Sequence, residues 1–317
     1  MRVTVILCTY NRCSLLAKTL ECVASQILPV STEWEILVID NNSSDQTCAV
    51  VEDFRRRHPG RFRYIFEPQQ GKSQALNAGI REARGDILAF VDDDVTMGAT
   101  WLQYLTESLQ GGQWAGAGGR ILPLWTCSPP PWLPVHERYG LAPLAMFDLG
   151  PEARPLTEPP FGTNMAFQRG VFARYVGFRT DLGPRPGSEI RNEDTEFGLR
   201  LLKAGERLRY EPSALVYHSV SASRLQKRYF LRWWLDKARA DVREFGIPAD
   251  STWLIAGVPL YLFRRLAMWT IRWMIATDPR RRFGSRLKVW AGIGAIKECY
   301  RLSNDAKRQE ARHNPRS

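Results

Sequence analysis

Three consecutive carboxylates, Asp92, Asp93 and Asp94, come directly after the apolar run at residues 87–91. Adjacent carboxylates repel each other and resist removal from water. A strand end therefore tolerates them only when water solvates them or a cation neutralises their charge. Strand-like alternation would point Asp92 and Asp94 the same way and Asp93 away, which suits a hard divalent ion held by oxygen ligands and substrate phosphates. A solvated acidic loop before a helix that begins near Thr100 is the alternative, and these residues alone leave both open.

A second pair of carboxylates, Glu193 and Asp194, precedes apolar residues at helical spacing. One interpretation makes Asp194 the N-cap of that helix and Glu193 a solvated neighbour. The other makes one of the two carboxylates a general base that accepts the proton of an incoming hydroxyl group.

The elements that must position these groups alternate between strand-like and helix-like patterns. Such alternation predicts an α/β fold whose sheet is parallel and has helices on both faces. The predicted strands are residues 3–10, the start of 34–45, 62–67 and 86–94, and the predicted helices are 15–26, 47–58 and 73–83.

Polar residues gather where the predicted strands end. Ligands of open α/β sheets bind at the carboxyl ends of the strands. We therefore expect one crevice to be lined by Thr9, Tyr10, Asn11, Asp40, Asn42 and the three aspartates.

Positive charge is concentrated in the last third of the chain. Residues 223–317 hold 21 Lys and Arg against 8 Asp and Glu, a net charge of +13, whereas residues 1–222 have a net charge of −2. A shift of this kind predicts a domain boundary near residues 221–224. We expect a catalytic domain at 1–222, with a nucleotide-binding half (1–95) and an acceptor half (96–222), followed by a basic helical tail.

The six cysteines form no CxxC pair and show no zinc-ligand spacing. They are typical of reduced thiols in a reducing compartment. The N-terminal residues enter a strand pattern without the apolar stretch of a secretory signal. Together these features favour a cytoplasmic location.

Six segments resemble, in order and approximate spacing, motifs of the family 2 glycosyltransferases of GT-A fold. They cover residues 3–218, about two-thirds of the chain. The resemblance implies a mixed, mainly parallel sheet and an inverting, metal-dependent transfer of a sugar from a nucleotide sugar. The segments are VTVILCTYNR, LVIDNNSSDQT, GKSQALNAGI, ILAFVDDDV, FGTNMAFQRGVF and NEDTEFGLRLLKAG.

The resemblance also implies roles for residues at the donor side. Thr9, Tyr10 and Asp40 would contact the base and ribose of a UDP-sugar, although ordinary turn chemistry explains the same residue types. Lys72 would lie near the diphosphate, where a point charge beside the start of a helix suits a phosphate. Asn77 would help to fix the loop that carries the aspartates.

The remaining implied roles concern the metal, the base and the acceptor. Asp92, Asp94 and His218 would hold Mg²⁺ or Mn²⁺, with Asp92 shared with the ribose, and the metal would assist the leaving nucleoside diphosphate. Asp194 would be the base and Glu193 would orient the acceptor or support the loop. Gly162 and Asn164 would lie in the floor under the donor sugar and the acceptor, where Gly162 permits close approach of the backbone and Asn164 would donate to a sugar hydroxyl group. Structural alternatives remain, notably a strand-end histidine and a strand-to-helix turn at Gly162 and Asn164.

A Pro-rich, aromatic segment at residues 122–160 lacks regular periodicity. Long irregular segments within a domain are often functional. We expect it to overhang the acceptor side, where Trp125, Trp132 and Tyr139 would stack on sugar rings or a lipid carrier. A packed surface loop is the alternative.

The tail mixes Trp, Leu and Phe with arginine at helical spacing, and its longest charge-free run, residues 251–263, is 13 residues long. A span needs about 20 apolar residues, so the pattern indicates interfacial helices on an anionic membrane surface. Packing on the catalytic domain is an alternative. Nucleic acid is not an expected partner, because no nucleic-acid motif occurs.

The sequence thus predicts a glycosyltransferase that acts on a polysaccharide or glycolipid at the inner membrane surface. A nucleotidyltransferase would need a Gly-rich phosphate loop after the first strand, which residues 8–14 lack. A non-catalytic membrane-assembly protein would not need an intact set of Asp92, Asp94 and Asp194.

Overall fold

A computed structural model describes residues 1–133, 141–247 and 253–313. The chain divides into two compact units. The first comprises Met1–Cys127, Leu144–Pro186 and Glu193–Val220. The second comprises the described parts of Ser128–Pro143, Gly187–Asn192 and Ser221–Ser317, so it includes two short segments from the middle of the chain besides the basic tail.

The first unit begins with the predicted alternation of strands and helices. Strand β1 pairs in parallel with β2 on one side and with β4 on the other, and β2 pairs in parallel with β3. This confirms the expected parallel half of an α/β fold. The elements are β1 (Arg2–Thr9), α1 (Cys13–Ala24), β2 (Glu33–Asp40), α2 (Thr47–Arg57), β3 (Phe62–Phe66), α3 (Lys72–Glu82) and β4 (Ile87–Asp92).

The second half of this unit completes a mixed sheet. Its further elements are β5 (Val95–Met97), α4 (Trp101–Glu107), β6 (Gly116–Trp125), a 3₁₀ turn (Ala142–Leu144), β7 (Arg154–Pro155), β8 (Asn164–Gln168), α5 (Arg169–Arg174), α6 (Glu193–Lys203) and β9 (Leu208–Val220). The strand order is β3-β2-β1-β4-β8-β6-β9-β5, and β7 pairs with β9. Antiparallel β8 lies between β4 and β6, while β6 and β9 run in the same direction as β1 to β4.

The central strands are buried on both faces. Val5, Ile6 and Leu7 of β1 are 0% exposed, because helices cover both sides of the sheet. Leu16 and Leu20 of α1 are equally buried. Continuous burial of this kind makes the sheet a rigid support for the polar groups at its strand ends.

The second unit is mainly helical. It contains α7 (Lys227–Phe245), a short hairpin of β10 (Leu254–Ile255) and β11 (Val258–Pro259), α8 (Leu260–Ile275) and α9 (Pro279–His313). Helix α9 packs against both α7 and α8. Among the described residues, no helix has the length and apolar character that crossing a membrane requires.

The aromatic residues of the Pro-rich segment lie in different surroundings. The ring of Trp132 packs against Phe230 and Phe283, with centroid separations of 5.2 and 4.8 Å. Trp132 is half-buried, so the expected stacking on sugar rings or a lipid carrier stays a prediction for the exposed part of its ring. Trp125 ends β6 and is half-buried, and Tyr139 lies outside the described residues.

Candidate active site

The carboxyl ends of β1, β2 and β4 lie side by side. In the strand register Thr9 is opposite Asp40, and Cys8 is opposite Asp92. Parallel strands bring their carboxyl ends to one edge of a sheet, which is why residues separated by more than 80 positions meet there. The polar groups at this edge form the candidate site.

The three aspartates do not continue the alternation of a strand. Strand β4 ends at Asp92, and Asp93 and Asp94 form the turn into β5. The expectation that Asp93 points away from the site is wrong, because its carboxylate accepts hydrogen bonds from Thr9 Oγ1 at 2.7 Å and Arg12 Nη1 at 3.1 Å. The same Arg12 nitrogen lies 3.2 Å from Asp94 Oδ2. One guanidinium therefore links two buried carboxylates.

These contacts change the ionisation of the turn. Burial raises the pKa of Asp93 to about 6, and the charge of Asp94 adds to that rise, while Arg12 and Thr9 oppose it. Burial alone would lower the pKa of Arg12, but Asp93 and Asp94 outweigh that effect and raise it. Arg12 thus stays charged and supplies the neutralisation that the acidic run requires.

Asp92 points to a different set of partners. Its Oδ1 accepts a hydrogen bond from Lys72 Nζ at 2.7 Å, and its Oδ2 accepts one from Thr163 Oγ1 at 2.7 Å. Lys72 Nζ also lies 3.6 Å from Glu193 Oε1. Burial alone would lower the pKa of Lys72, but the charges of Asp92, Glu193 and Asp194 raise it. Burial would raise the pKa of Asp92, but Lys72 outweighs that effect and lowers it.

Asp94 and His218 face each other across the turn. Strands β5 and β9 pair Val95 with His218, and His218 Nε2 lies 3.4 Å from Asp94 Oδ1. Ser219 N donates to the carbonyl of Asp94 at 3.1 Å, which holds the turn against β9. Both side chains are about 95% buried.

The metal expectation needs one correction. Among residues 1–133, 141–247 and 253–313, no three His, Cys, Asp or Glu side chains come together as a ligand set. Asp92 is therefore not grouped with Asp94 and His218, since Lys72 and Thr163 engage its oxygens. The Asp94 carboxylate suits Mg²⁺ or Mn²⁺ when phosphate oxygens supply further ligands, and an imidazole such as that of His218 suits a transition metal such as Mn²⁺ better than Mg²⁺.

The second acidic pair divides into a buried and an accessible member. Glu193 is 4% exposed, whereas Asp194 is half-buried at the start of α6. Asp194 Oδ2 accepts a hydrogen bond from Gly162 N at 2.6 Å, and Oδ1 accepts one from Thr195 N at 2.7 Å. Backbone donors thus fix the orientation of the carboxylate that an incoming group can reach. The absence of a side chain at Gly162 permits this contact, because a Cβ there would lie 3.1 Å from Asp194 Oδ2.

Two left-handed asparagines shape the turns after β1 and β2. Asn11 has φ 51° and Asn42 has φ 65°, a conformation that asparagine adopts more readily than most residues. Asn11 Oδ1 accepts a hydrogen bond from Ser44 N at 2.7 Å, so the two turns are joined. Tyr10 is 37% exposed beside them.

Asp40 is less accessible than a base-binding residue would be. It is 2% exposed, and its carboxylate accepts hydrogen bonds from Ser43 N and Tyr64 Oη, both at 2.8 Å. In this structure Asp40 holds the second turn in shape. Contact with the base through its side chain is therefore not supported.

Two further expectations are wrong. Asn164 is 0% exposed, accepts a hydrogen bond from Trp101 Nε1 and donates to the carbonyls of Arg120 and Ala214, so it cannot donate to a sugar. Asn77 exchanges two hydrogen bonds with the backbone of Phe178. It therefore fixes the loop at Phe178 and not the acidic turn.

The sequence interpretation missed Arg12 and Thr163. Each adjoins a residue that was singled out, Arg12 after Asn11 and Thr163 after Gly162. A basic residue near the end of β1 was a usable signal, since the buried Asp93 and Asp94 beside the half-buried Asp92 need a counter-charge.

Comparisons with known proteins identify the family of this chain. The model of the family "Glycosyl transferase family 2" matches residues 4–174. The glucosyl-dolichyl phosphate glucuronosyltransferase of Haloferax volcanii is 25% identical over 224 residues, which cover 69% of this chain and 70% of that protein.

Solved structures show the same fold. The mannosyltransferase PcManGT from Pyrobaculum calidifontis, solved with GDP-Man and Mn²⁺, aligns with a TM-score of 0.58 and 20% identity, covering 100% of this chain and 81% of that one. Residues 1–349 of Staphylococcus aureus TarS, solved with UDP, align with a TM-score of 0.54 and 17% identity, covering 98% and 92%.

The matched family segment contains β1 from Thr4 onward, β2 to β4 and the acidic turn, and the fold is that of GT-A enzymes. The matched segment covers more than half of the chain. The protein is a glycosyltransferase that belongs to glycosyl transferase family 2.

Proposed function

We propose that this enzyme transfers a sugar from a nucleotide sugar to a polysaccharide or glycolipid acceptor with inversion at the anomeric carbon, and that Asp194 is the general base. The observation that carries the proposal is the half-buried Asp194 carboxylate, oriented by the N–H groups of Gly162 and Thr195 beside the pair formed by Lys72 and Asp92. Glu193 is a poorer candidate because it is almost fully buried.

In the proposed reaction, Asp194 accepts the proton of an acceptor hydroxyl group while that oxygen attacks the anomeric carbon. The bond from this carbon to the phosphate oxygen breaks, and the nucleoside diphosphate leaves with the bonding electrons. A single displacement of this kind needs one base opposite the leaving group and no covalent intermediate. Glu193 supports the loop through Lys72.

Negative charge on the departing diphosphate would be stabilised by cationic groups at the edge of the sheet where β1, β2 and β4 end. Lys72 lies at the start of α3, where its ammonium and the helix N-terminus both favour phosphate. Asp94 and His218 would hold a divalent metal, which when bound stabilises negative charge on the leaving group. The Mn²⁺ in the complex of PcManGT supports this assignment.

The donor side lies at the joined turns after β1 and β2. The exposed Tyr10 provides an aromatic face for a base, and the backbone around Asn11 and Asn42 provides hydrogen-bonding groups. UDP is the proposed nucleotide, supported by the UDP complex of TarS. Thr9 contributes indirectly, since its hydroxyl holds Asp93.

The acceptor is proposed to lie at the inner face of the plasma membrane, with the basic tail at the lipid surface. The relative from Haloferax volcanii is named for a dolichyl phosphate-linked substrate, which supports a lipid-linked acceptor. The net charge of +13 in residues 223–317 supports attraction to anionic lipid.

The test measures release of nucleoside diphosphate from UDP-sugars and GDP-sugars in the presence of Mn²⁺ and extracted lipid-linked saccharides. Asp194→Asn should lower the turnover of the active donor by about 10²–10⁴-fold while leaving its dissociation constant within about twofold. Asp181→Asn changes an exposed carboxylate and should match the wild type. Unchanged turnover in Asp194→Asn would remove the base assignment, and no turnover of any donor by the wild type would favour a non-catalytic role.

A further inference from the structure

Helix α8 of the second unit has one packed face. Leu262 is 8% exposed, and the ring of Trp273 lies 6.3 Å from that of Trp290 in α9. Lys288 Nζ lies 3.9 Å from the centre of the Trp269 ring. These contacts fix the rotation of α8 about its own axis.

The opposite face of α8 is apolar and exposed. Tyr261, Met268, Ile271 and Ile275 are 40%, 38%, 53% and 70% exposed. Their separations of three, four and seven residues place them on one side of a helix. Three exposed arginines share that side: Arg264, Arg265 and Arg272.

The hairpin before α8 extends this surface. Trp253, Leu254 and Ile255 are 74%, 54% and 53% exposed. Leu260 N donates to the carbonyl of Trp253 at 2.9 Å, and Val258 packs with Leu262 in a small buried cluster. The apolar strand β10 is thus held next to the helix, and we call the two together the α8 face.

Charge around the α8 face is mostly positive. Residues 253–297 contain nine Lys and Arg and one acidic residue, Asp278. The Asp278 carboxylate accepts a hydrogen bond from Arg281 N at 2.8 Å, at the start of α9. Arg280, Arg281 and Arg282 are exposed. Large apolar side chains therefore project among cations, and within the described part of the chain no carboxylate forms an ion pair with Arg264, Arg265 or Arg272.

We propose that the α8 face inserts into the headgroup region of an anionic lipid bilayer. Apolar side chains flanked by arginine suit this environment, where the former enter the acyl boundary and the latter meet lipid phosphates. The inference rests on the proposed membrane-surface role and names the surface that performs it.

The charge pattern disfavours the other occupants of such a face. A symmetric contact between two copies would place Arg264, Arg265 and Arg272 against a second set of arginines without acidic partners. A nucleic acid would find large apolar side chains among the cations, whereas nucleic-acid interfaces are more polar.

The first measurement is binding of the full chain to vesicles of phosphatidylcholine, with and without about 30% phosphatidylglycerol, in a flotation assay. We expect at least a tenfold tighter partition onto the anionic vesicles, weakened about tenfold when NaCl rises from about 0.1 to 0.5 M, because salt shortens the screening length. Equal or absent binding to both kinds of vesicle would overturn the proposal.

The second measurement compares variants. Ile271→Glu with Ile275→Glu should weaken binding at least tenfold, and Arg264→Gln with Arg265→Gln should remove most of the preference for anionic lipid without changing apolar area. The matched control is Ile27→Glu with Val30→Glu, two residues of the first unit that are 63% and 106% exposed, which should bind within about twofold of the wild type. Circular dichroism of each variant verifies folding.

Three results would overturn the proposal. The first is binding of both α8 variants to vesicles as tightly as the wild type. The second is a dimer of the wild type in ultracentrifugation where the glutamate variant is a monomer. The third is release of the protein from vesicles by equimolar duplex RNA. Vesicle binding needs neither donor nor acceptor. Lost vesicle binding with normal donor turnover would therefore refute only this inference, and lost turnover with normal vesicle binding would refute only the proposed reaction.

Discussion

Replacement of Gly162 by alanine tests the position of Asp194 without removing its carboxylate. The added Cβ would lie 3.1 Å from Asp194 Oδ2 and 3.4 Å from Asp194 Cβ. The contact at 3.1 Å is shorter than ordinary van der Waals contact, so Asp194 must move by a few tenths of an ångström. The peptide N–H of residue 162 remains, so Asp194 keeps its hydrogen bond but changes its place.

The expected effect is on the chemical step. Since a displacement of about 1 Å costs about 10²-fold in rate, a shift of a few tenths of an ångström should lower kcat about three- to tenfold. The donor contacts proposed at Tyr10 and Lys72 do not involve Gly162. The dissociation constant of the donor should therefore stay within about twofold.

The assay is steady-state turnover of the active nucleotide sugar, together with calorimetric titration of its nucleoside diphosphate. The control is Gly98→Ala, because a Cβ at Gly98 meets no atom within 4 Å. Equal kcat values for the two alanine variants would refute the positioning of Asp194, and a kcat loss matched by weaker donor binding would indicate a general disturbance of the site.

Three other substitutions probe the charges around the site. Lys72→Met should lower the free energy of unfolding by about 3 kcal/mol, because Asp92 and Glu193 lose the ammonium they share; a loss no larger than that of the exposed Lys18→Met in urea unfolding would contradict this. Arg12→Ala should lower the melting temperature and make it rise more with Mn²⁺ than in the wild type, since the metal would replace the cation beside Asp94; an equal rise in both proteins would contradict this. Burial alone would raise the pKa of Asp45, but hydrogen bonds from Thr47 and Cys13 outweigh the effect of burial and lower this pKa from 3.8 to about 2. Its stabilising contribution is therefore present above about pH 4 and lost as the pH falls towards 2, so the stability gap to Asp45→Asn should close over that range, and a gap independent of pH would refute the role.

The parts of the site that could be predicted from sequence are those with a local pattern. The acidic turn follows an apolar strand, Lys72 follows a glycine at the start of a helix, and Asp194 precedes a helical run. Each of these is visible within about ten residues. The predicted order of strands and helices through Asp94 is confirmed for the same reason.

The partners of these groups could not be predicted, because topology brings them from distant parts of the chain. Thr163 reaches Asp92 only because antiparallel β8 pairs with β4, and no local pattern shows which strands are neighbours. Arg12 meets Asp93 across 81 residues. Asparagine is a residue type that often binds sugars. Asn164, however, lies in the middle of the sheet, where its amide donates hydrogen bonds to backbone carbonyls.

The contacts of the Pro-rich segment with the helical unit could not be predicted for a similar reason. The Pro-rich segment has no apolar periodicity, so its sequence does not reveal that Trp132 packs with Phe230 and Phe283 of the helical unit. Contacts between a short segment and helices about 100 and 150 residues later in the chain depend on the folded structure. The positive charge of the tail predicts a boundary near residues 221–224, but charge carries no information about these aromatic contacts.

The central claim is a metal-dependent donor site at the acidic turn, and calorimetric titration with UDP and GDP tests it most directly. One nucleoside diphosphate should bind the wild type in the presence of Mn²⁺ at least tenfold more tightly than in EDTA, and Asp94→Asn should abolish that difference because it removes the carboxylate that faces His218. Binding that is the same with and without Mn²⁺, or that survives unchanged in Asp94→Asn, would contradict the proposed site.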